Sequence, residues 1–145
     1  MAGRVTIMSF AYSREPPPPA DLVFDMRFLR NPHWQDGLRA LTGLDEPVGA
    51  YIAGDPAYGD ALAGIERQLL ALLAGQGDEG KPSVRAAFGC TGGRHRSVHV
   101  AERVAARLRA AGFSPSLEHR DLAAPPPDGI ERSRGAGTDG FKVDE

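Results

Sequence analysis

The sequence of 145 residues has a single cysteine, Cys90, so it cannot form an internal disulfide, and the disulfide framework of a small secreted domain is excluded. It has no run of roughly 18 apolar residues that could cross a membrane, and the apolar stretch among its first residues is too short for a signal peptide. It also lacks an excess of basic charge, since 17 Lys and Arg face 19 Asp and Glu. Binding of RNA or DNA would therefore need a local basic patch. We expect a cytoplasmic protein with no membrane segment.

Proline and glycine are distributed unevenly along the chain. Residues 16–19 are four consecutive prolines, and from about residue 123 onward turn-forming residues replace any apolar periodicity. The length suits one domain of about 100–150 residues. The pattern predicts a folded domain over residues 3–122 and a disordered, Pro/Gly-rich tail over residues 123–145.

Strand-like and helix-like patterns interleave within the predicted domain. The predicted strands cover residues 4–10, 21–28, 82–89 and 116–122. A first predicted helix starts with Asp45 as its cap and Pro47 in its first turn. A second starts at Asp55 and Pro56, has apolar residues at helical spacing from Leu62 to Leu73, and stops at Gly75 and Gly77. A third covers residues 97–111. This order favours an α/β fold, a three-layer sandwich with a mostly parallel sheet.

The richest segment for chemistry is the glycine loop, residues 89–97 (Gly-Cys-Thr-Gly-Gly-Arg-His-Arg-Ser), between a predicted strand and a predicted helix. Its glycines allow a tight turn that presents backbone N–H groups, and the following helix N-terminus adds partial positive charge. Arg94, His95 and Arg96 supply further donors. The loop is a candidate cradle for a phosphate or another anion. The alternative is a plain strand-to-helix turn whose arginines are solvated.

Cys90 and Arg96 also have the spacing of cysteine-dependent phosphatases. That chemistry needs a thiolate at a helix N-terminus, an arginine that holds phosphate oxygens, and a general acid, for which Asp25 and Asp121 are candidates. The pattern is short, so phosphatase activity is one hypothesis. The other is that Cys90 is a small buried residue at a strand end.

Other motifs carry weaker signals. Residues 75–82 nearly match a Walker A loop, but Pro82 replaces the required Ser or Thr and the run follows a helix, so ATP hydrolysis by such a site is rejected. Cys and His lack zinc-ligand spacing, so we expect no metal site. We expect no cofactor either. Arg94, Arg103 and Arg107 are candidate RNA contacts, the last two on a helical stripe with Arg96 and His99; such a stripe is usually a solvated face.

Several long motifs together closely resemble the C-terminal domain of the RapZ family, also called the YvcJ family. They are residues 21–34 (DLVFDMRFLRNPHW), 41–45 (LTGLD), 89–98 (GCTGGRHRSV), 101–102 (AE) and 119–122 (HRDL). The resemblance implies a phosphofructokinase-subdomain-like fold that senses glucosamine-6-phosphate and binds a small regulatory RNA. The expected partners are thus a phosphorylated metabolite and, as open alternatives, RNA, a protein or a second copy of the chain.

The resemblance also implies a ligand pocket in this sequence. It falls on His33 of the Asn-Pro-His-Trp loop and on Cys90, Thr91, Gly92, Gly93 and Arg96 of the glycine loop. Alone, a loop histidine such as His33 would more often be structural. The sequence departs from the family pattern in two ways: we expect no N-terminal Walker-type domain, and the tail after residue 122 has no counterpart.

Overall fold

The computed structural model describes residues 4–76 and 83–123 of the chain. The strands are β1 (Arg4–Ala11), β2 (Leu22–Asp25), β3 (Ser83–Cys90) and β4 (Ser116–His119). The helices are α1 (Glu46–Ala53), α2 (Tyr58–Gln76) and α3 (Arg96–Ala110), preceded by a short 3₁₀ turn at Pro32–Trp34. The strands form one parallel sheet in the order β2-β3-β1-β4.

The two central strands, β1 and β3, are buried on both faces, as expected for inner strands of a parallel sheet. On one face, Val5 and Ile7 of β1 join a core to which all three helices contribute. On the other face, Met8 and Phe10 form a smaller cluster with Tyr12, from the connection between β1 and β2. The architecture is the predicted α/β fold with a parallel sheet, consistent with a three-layer sandwich.

The observed helices lie where the spacing of apolar residues predicts them. Leu62, Leu69 and Leu73 of α2 are buried, and the inward face of α3 carries the buried residues Val104 and Leu108. None of the helices in residues 4–76 and 83–123 combines the length and apolar character needed to cross a bilayer.

The prediction of a strand over residues 21–28 was wrong in its second half, because β2 ends at Asp25. The Asp25 carboxylate accepts a hydrogen bond from the backbone N–H of Arg27 (2.9 Å), which bends the chain out of the sheet. The following residues therefore do not alternate across a sheet. Met26 is buried, whereas Phe28 is 55% exposed.

The last strand is also shorter than the predicted residues 116–122. The N–H of Arg120 still donates to the Ser9 carbonyl (2.9 Å), but the Asp121 carboxylate then accepts the N–H of Ala11 (2.7 Å) at the end of β1. This side-chain contact ends the ladder. Beside it, His119 joins the Ser9 hydroxyl (2.7 Å) to the Glu102 carboxylate (2.8 Å), so a polar chain connects β1, β4 and α3.

Two predictions fall on residues outside the described ranges. These are the part of the Walker-like run after Gln76, residues 77–82, and the tail from residue 124 onward. Both stay sequence predictions.

Candidate anion-binding site

The glycine loop lies at the carboxyl edge of the sheet, where ligands of open α/β folds usually bind. It leaves β3 at Cys90 and enters α3 at Arg96. The chain segments that follow β1 and β2 run beside it, since Tyr12 N–H donates to the Cys90 carbonyl (2.9 Å) and Met26 N–H donates to the Gly89 carbonyl (2.8 Å). Three adjacent strand ends therefore meet at the loop.

Two glycines of the loop are required by close packing, and a third is open to its surroundings. Gly93 has φ +69°, and a Cβ there would lie 2.8 Å from the Ala11 Cβ. A Cβ on Gly89 would overlap the Phe10 ring, whereas one on Gly92 would have no neighbour within 4 Å. The loop is thus pressed against β1 at Gly93 while the Gly92 backbone stays accessible, as an anion cradle requires.

Cys90 is buried, at 2% exposure, and its sulfur faces the start of α3. The Sγ accepts the backbone N–H of Ser97 (3.3 Å) and donates to the Ser97 hydroxyl (3.2 Å). This burial agrees with the second hypothesis for Cys90, that of a small buried residue at a strand end. The contacts with Ser97 also hold the thiol at the N-terminus of α3.

Arg96 is 5% exposed and reaches from α3 to the segment that follows β2. Its Nη1 donates to the carbonyl oxygens of Arg27 (2.6 Å) and Leu29 (3.2 Å). The side chain therefore fixes the neighbouring segment against the glycine loop. Because it is buried, Arg96 does not belong to the exposed basic stripe predicted on this helix.

Arg27 is a residue of this site that the sequence analysis did not single out. Its guanidinium binds both oxygens of Asp25, with Nε–Oδ1 2.9 Å and Nη2–Oδ2 2.7 Å, and lies 4.0 Å above the Tyr12 ring. Hydrogen bonding to Asp25 raises the pKa of Arg27. The signal in the sequence is the Asp-x-Arg pattern at the end of an apolar strand, which places a fixed cation beside the loop.

The two candidate general acids are both engaged in ionic contacts. Hydrogen bonding from the Arg27 side chain lowers the pKa of Asp25, which favours the carboxylate. Asp121 accepts hydrogen bonds from the Ala11 N–H (2.7 Å) and from Nε of Arg120 (3.0 Å). A general acid must hold a proton near neutral pH, so this arrangement of Asp25 is unfavourable for that role.

His33 lies in the 3₁₀ turn, partly buried, where the Asn31 side chain accepts its backbone N–H (3.0 Å). Its ring stands edge-on to Trp34, with centroids 4.6 Å apart. Nε of Arg39 donates to the His33 carbonyl (2.7 Å), and the Arg39 carbonyl lies 3.2 Å from Nε2 of His95, so Arg39 connects the turn to the glycine loop. The structure thus brings His33 toward the loop residues that the resemblance groups with it.

His95 anchors the glycine loop to a second segment. It is 8% exposed, and its Nε2 donates to the carbonyl oxygens of Leu41 (2.8 Å) and Arg39 (3.2 Å). Burial lowers its pKa to about 4. His99, one turn further along α3, has its pKa lowered to about 4, mainly by burial, and it is hydrogen-bonded to the Tyr58 hydroxyl (2.8 Å). Both rings are neutral near pH 7.

These two histidines predict a stability that falls with acidification. Between pH 6.5 and about 4 the unfolded chain binds protons at His95 and His99 while the folded chain does not, so stability decreases as the pH falls through this window. The slope is at most about 1.4 kcal/mol per pH unit for each histidine. Urea unfolding at pH 6.5 and 5.0 measures it. The His95→Gln and His99→Gln double variant, which removes the titration, should lose this part of the slope, and an unchanged slope would contradict the assignment.

The candidate RNA contacts occupy different environments. Arg94 is partly buried on the glycine loop and lies 3.4 Å from the Ala40 carbonyl. Arg103 is exposed on α3, while Arg107 forms an ion pair with Glu66 (2.8 Å). A pair of this kind reduces the charge available to a phosphate backbone. In the described ranges, no group of three or more His, Cys, Asp or Glu side chains could hold a metal ion.

The fold and the site define an α/β domain with a glycine-rich loop between a parallel strand and a helix N-terminus. A family model described as the RapZ C-terminal domain matches residues 3–123, and the chain belongs to this family. A "Nucleotide-binding protein" of Sphingopyxis alaskensis is 56% identical over 127 residues, covering 88% of this chain and 40% of that protein. A protein with the same name from Rhizorhabdus wittichii is 61% identical over 118 residues, covering 81% of this chain and 38% of that protein. Another from Novosphingobium aromaticivorans is 56% identical over 131 residues, covering 90% of this chain and 43% of that protein. The chain thus spans about two-fifths of the length of these curated relatives.

Proposed function

We propose that this chain is a regulatory domain that binds a phosphorylated small molecule, an amino-sugar phosphate such as glucosamine-6-phosphate, at the glycine loop. The observation that carries the proposal is the accessible Gly92 backbone in the loop that leads into the α3 N-terminus, where the carboxyl ends of three parallel strands meet. Backbone N–H groups at such a terminus favour a phosphate, both as donors and through the helix dipole. The bound group would lie beside Arg94 and beside the ion pair of Arg27 with Asp25.

The same edge of the sheet offers a place for an amine. Asp25 ends β2, and the hydrogen bonds from Arg27 favour its ionised form. A protonated amino group prefers an ionised carboxylate as acceptor. A ligand with a phosphate at one end and an ammonium at the other therefore matches a site with the glycine loop on one side and Asp25 on the other.

The proposed roles of the remaining residues follow from their positions. Thr91 and Gly92 contribute donors to the phosphate, and Gly93 sets the turn that exposes them. Cys90 forms the floor of the pocket, and His33 contributes from the adjoining 3₁₀ turn. Arg96 holds the segment after β2 in place and completes the positive environment.

A regulatory output requires that ligand binding reach another surface. Hydrogen bonds of three loop residues connect the glycine loop to the segment between β2 and α1. Arg96 donates to the carbonyls of Arg27 and Leu29, and His95 donates to those of Leu41 and Arg39. The Arg94 carbonyl accepts the Gly43 N–H (2.7 Å). That segment carries the exposed side chains of Phe28, Trp34 and Leu44. Ligand binding would thereby order a surface presented to a protein partner, or to cytoplasmic RNA near Arg94, Arg103 and Arg107.

Calorimetry with glucosamine-6-phosphate tests the proposal. Saturable binding is expected, with glucosamine and inorganic phosphate each binding at least about tenfold more weakly, because each lacks one of the two charged groups. A mononucleotide is the comparison ligand, since the longer relatives are named nucleotide-binding proteins. The variant Thr91→Val removes a hydroxyl donor and should weaken binding, whereas Thr6→Val, in β1, should not. Absence of binding to any sugar phosphate would contradict the proposal.

One observation favours a second function, that of a cysteine-dependent phosphatase: the Ser97 N–H and hydroxyl both contact the Cys90 sulfur. This hypothesis predicts release of phosphate from an aryl phosphate such as p-nitrophenyl phosphate between pH 5 and 7. Turnover should be abolished by Cys90→Ser and kept by Ser9→Ala, a buried serine outside the loop. The burial of Cys90 and the pairing of Asp25 lead us to expect no turnover, and turnover sensitive to Cys90→Ser would reverse the order of the two proposals.

A further inference from the structure

The proline run of residues 16–19 connects β1 to β2 and has no part in the proposed ligand site. Pro16, Pro17 and Pro19 are exposed, whereas Pro18 is buried. The pattern of burial, with one residue in four turned inward, needs a physical explanation.

Proline chemistry supplies the explanation. Each proline ring fixes φ near −65°, and each residue that precedes a proline is restricted to extended conformations. Glu15 and the first three prolines all precede a proline, which favours the polyproline II helix, with three residues per turn, between the bends of the chain at Glu15 and Pro19. With this period Pro16 and Pro19 share one ridge, Pro17 forms the second and Pro18 the third. The third ridge is the buried one.

Two arginines fix the run to the sheet. Nη1 of Arg120, just after β4, donates to the Pro16 carbonyl (2.8 Å), and its Nη2 donates to the Glu15 carbonyl (3.2 Å). Nε of Arg85, in β3, donates to the Pro19 carbonyl (3.2 Å). The run is therefore anchored at both ends, with two ridges facing outward.

We propose that the outward ridges, Pro16 with Pro19 and Pro17, form a docking surface for a partner protein domain whose groove is lined by aromatic side chains. Such grooves accept two ridges of a polyproline II helix, and the third points away from them. A run already fixed in this conformation loses little entropy on binding. The four prolines have no backbone N–H to desolvate, and they carry no charge, so an aromatic surface suits them better than a phosphate backbone does.

The test uses the full chain and an isolated SH3 domain as the aromatic-groove probe. Chemical shifts of the ¹⁵N-labelled SH3 domain are followed as the chain is added, with an SH3 variant that lacks its groove tryptophan as a control. We expect saturable shifts confined to the groove. The combined variant Pro16→Ala, Pro17→Ala, Pro19→Ala should bind at least about tenfold more weakly. Pro56→Ala, an exposed proline outside the run, should bind within about twofold of the unmodified chain.

Two results would overturn the proposal: no saturable shift with the unmodified chain, or binding by the combined variant within about twofold of it. If the combined variant does not fold, as judged by circular dichroism, the single variant Pro17→Ala takes its place, because it alters the isolated second ridge. Weakened binding with unchanged thermal unfolding would support the docking surface. Unchanged binding would show that the run only covers the sheet.

Discussion

Replacing Arg96 by alanine should destabilise the fold by about 3 kcal/mol and abolish binding of glucosamine-6-phosphate. The buried guanidinium donates to the carbonyl oxygens of Arg27 and Leu29, and its removal leaves both oxygens without this donor. The segment after β2 would then lose its attachment to α3. Because Arg27 of that segment binds Asp25 beside the glycine loop, the effect on the ligand should accompany the effect on stability.

Urea unfolding and calorimetry measure these two effects separately. Arg94→Ala is the matched control, since Arg94 is only partly buried and its one carbonyl contact is long, at 3.4 Å. This control should change stability by less than about 1 kcal/mol. Equal stabilities of the Arg96 and Arg94 variants would show that the carbonyl contacts of Arg96 contribute little to the fold.

The second large effect is expected for Gly93→Ala, which should destabilise the fold by about 2–4 kcal/mol. The residue has φ +69°, a conformation that alanine rarely adopts, and the added Cβ would lie 2.8 Å from the Ala11 Cβ and 3.2 Å from its Cα. Either the loop or the end of β1 must move. In both cases the cradle loses its shape, so ligand binding should weaken as well.

Gly92→Ala is the partner experiment for Gly93. No atom lies within 4 Å of a Cβ at Gly92, and its φ is not in the left-handed region, so stability should change by less than about 1 kcal/mol. Ligand affinity should still fall, because the methyl group would occupy space above the cradle. If Gly92→Ala leaves the affinity unchanged while Gly93→Ala unfolds the chain, the loop is a structural turn and not a binding site.

Patterns that are local in sequence predicted most of the fold. The apolar spacing of Leu62, Leu69 and Leu73 located α2, and the strand-to-helix change around Cys90 located the glycine loop. These signals depend on neighbouring residues and on the period of the element. Inner strands such as β1 and β3 can also be predicted from the sequence, because both of their faces are apolar.

Features set by side-chain contacts were not predictable in the same way. The length of β2 depends on whether the Asp25 carboxylate accepts the N–H of Arg27, and an alternating apolar pattern carries no signal of that choice. The role of Arg96 depends on carbonyl groups 67 and 69 residues earlier in the chain. The sequence pointed to Arg96 as a phosphate ligand, but only the fold reveals that its Nη1 holds the adjoining segment.

The helix start at Asp45 is a smaller example of the same limit. Asp45 is the residue before α1, as predicted, but its side chain makes no capping hydrogen bond to the helix. The carboxylate accepts the Thr42 N–H instead (2.8 Å). An aspartate at position 45 predicted the start of α1 correctly. The hydrogen-bond partner of its carboxylate, however, depends on the turn that precedes the helix.

Backbone amide shifts show directly whether the glycine loop binds the phosphate of a small ligand. In a titration of the ¹⁵N-labelled chain with glucosamine-6-phosphate, we expect the largest shifts on the amides of Thr91, Gly92, Gly93 and Arg94. These shifts should saturate together, and they should be absent when glucosamine is added alone. Saturable shifts confined to residues outside the glycine loop, such as Phe28, Gly64 and Arg67, which line a groove beside the end of β2 and α2, would contradict this assignment.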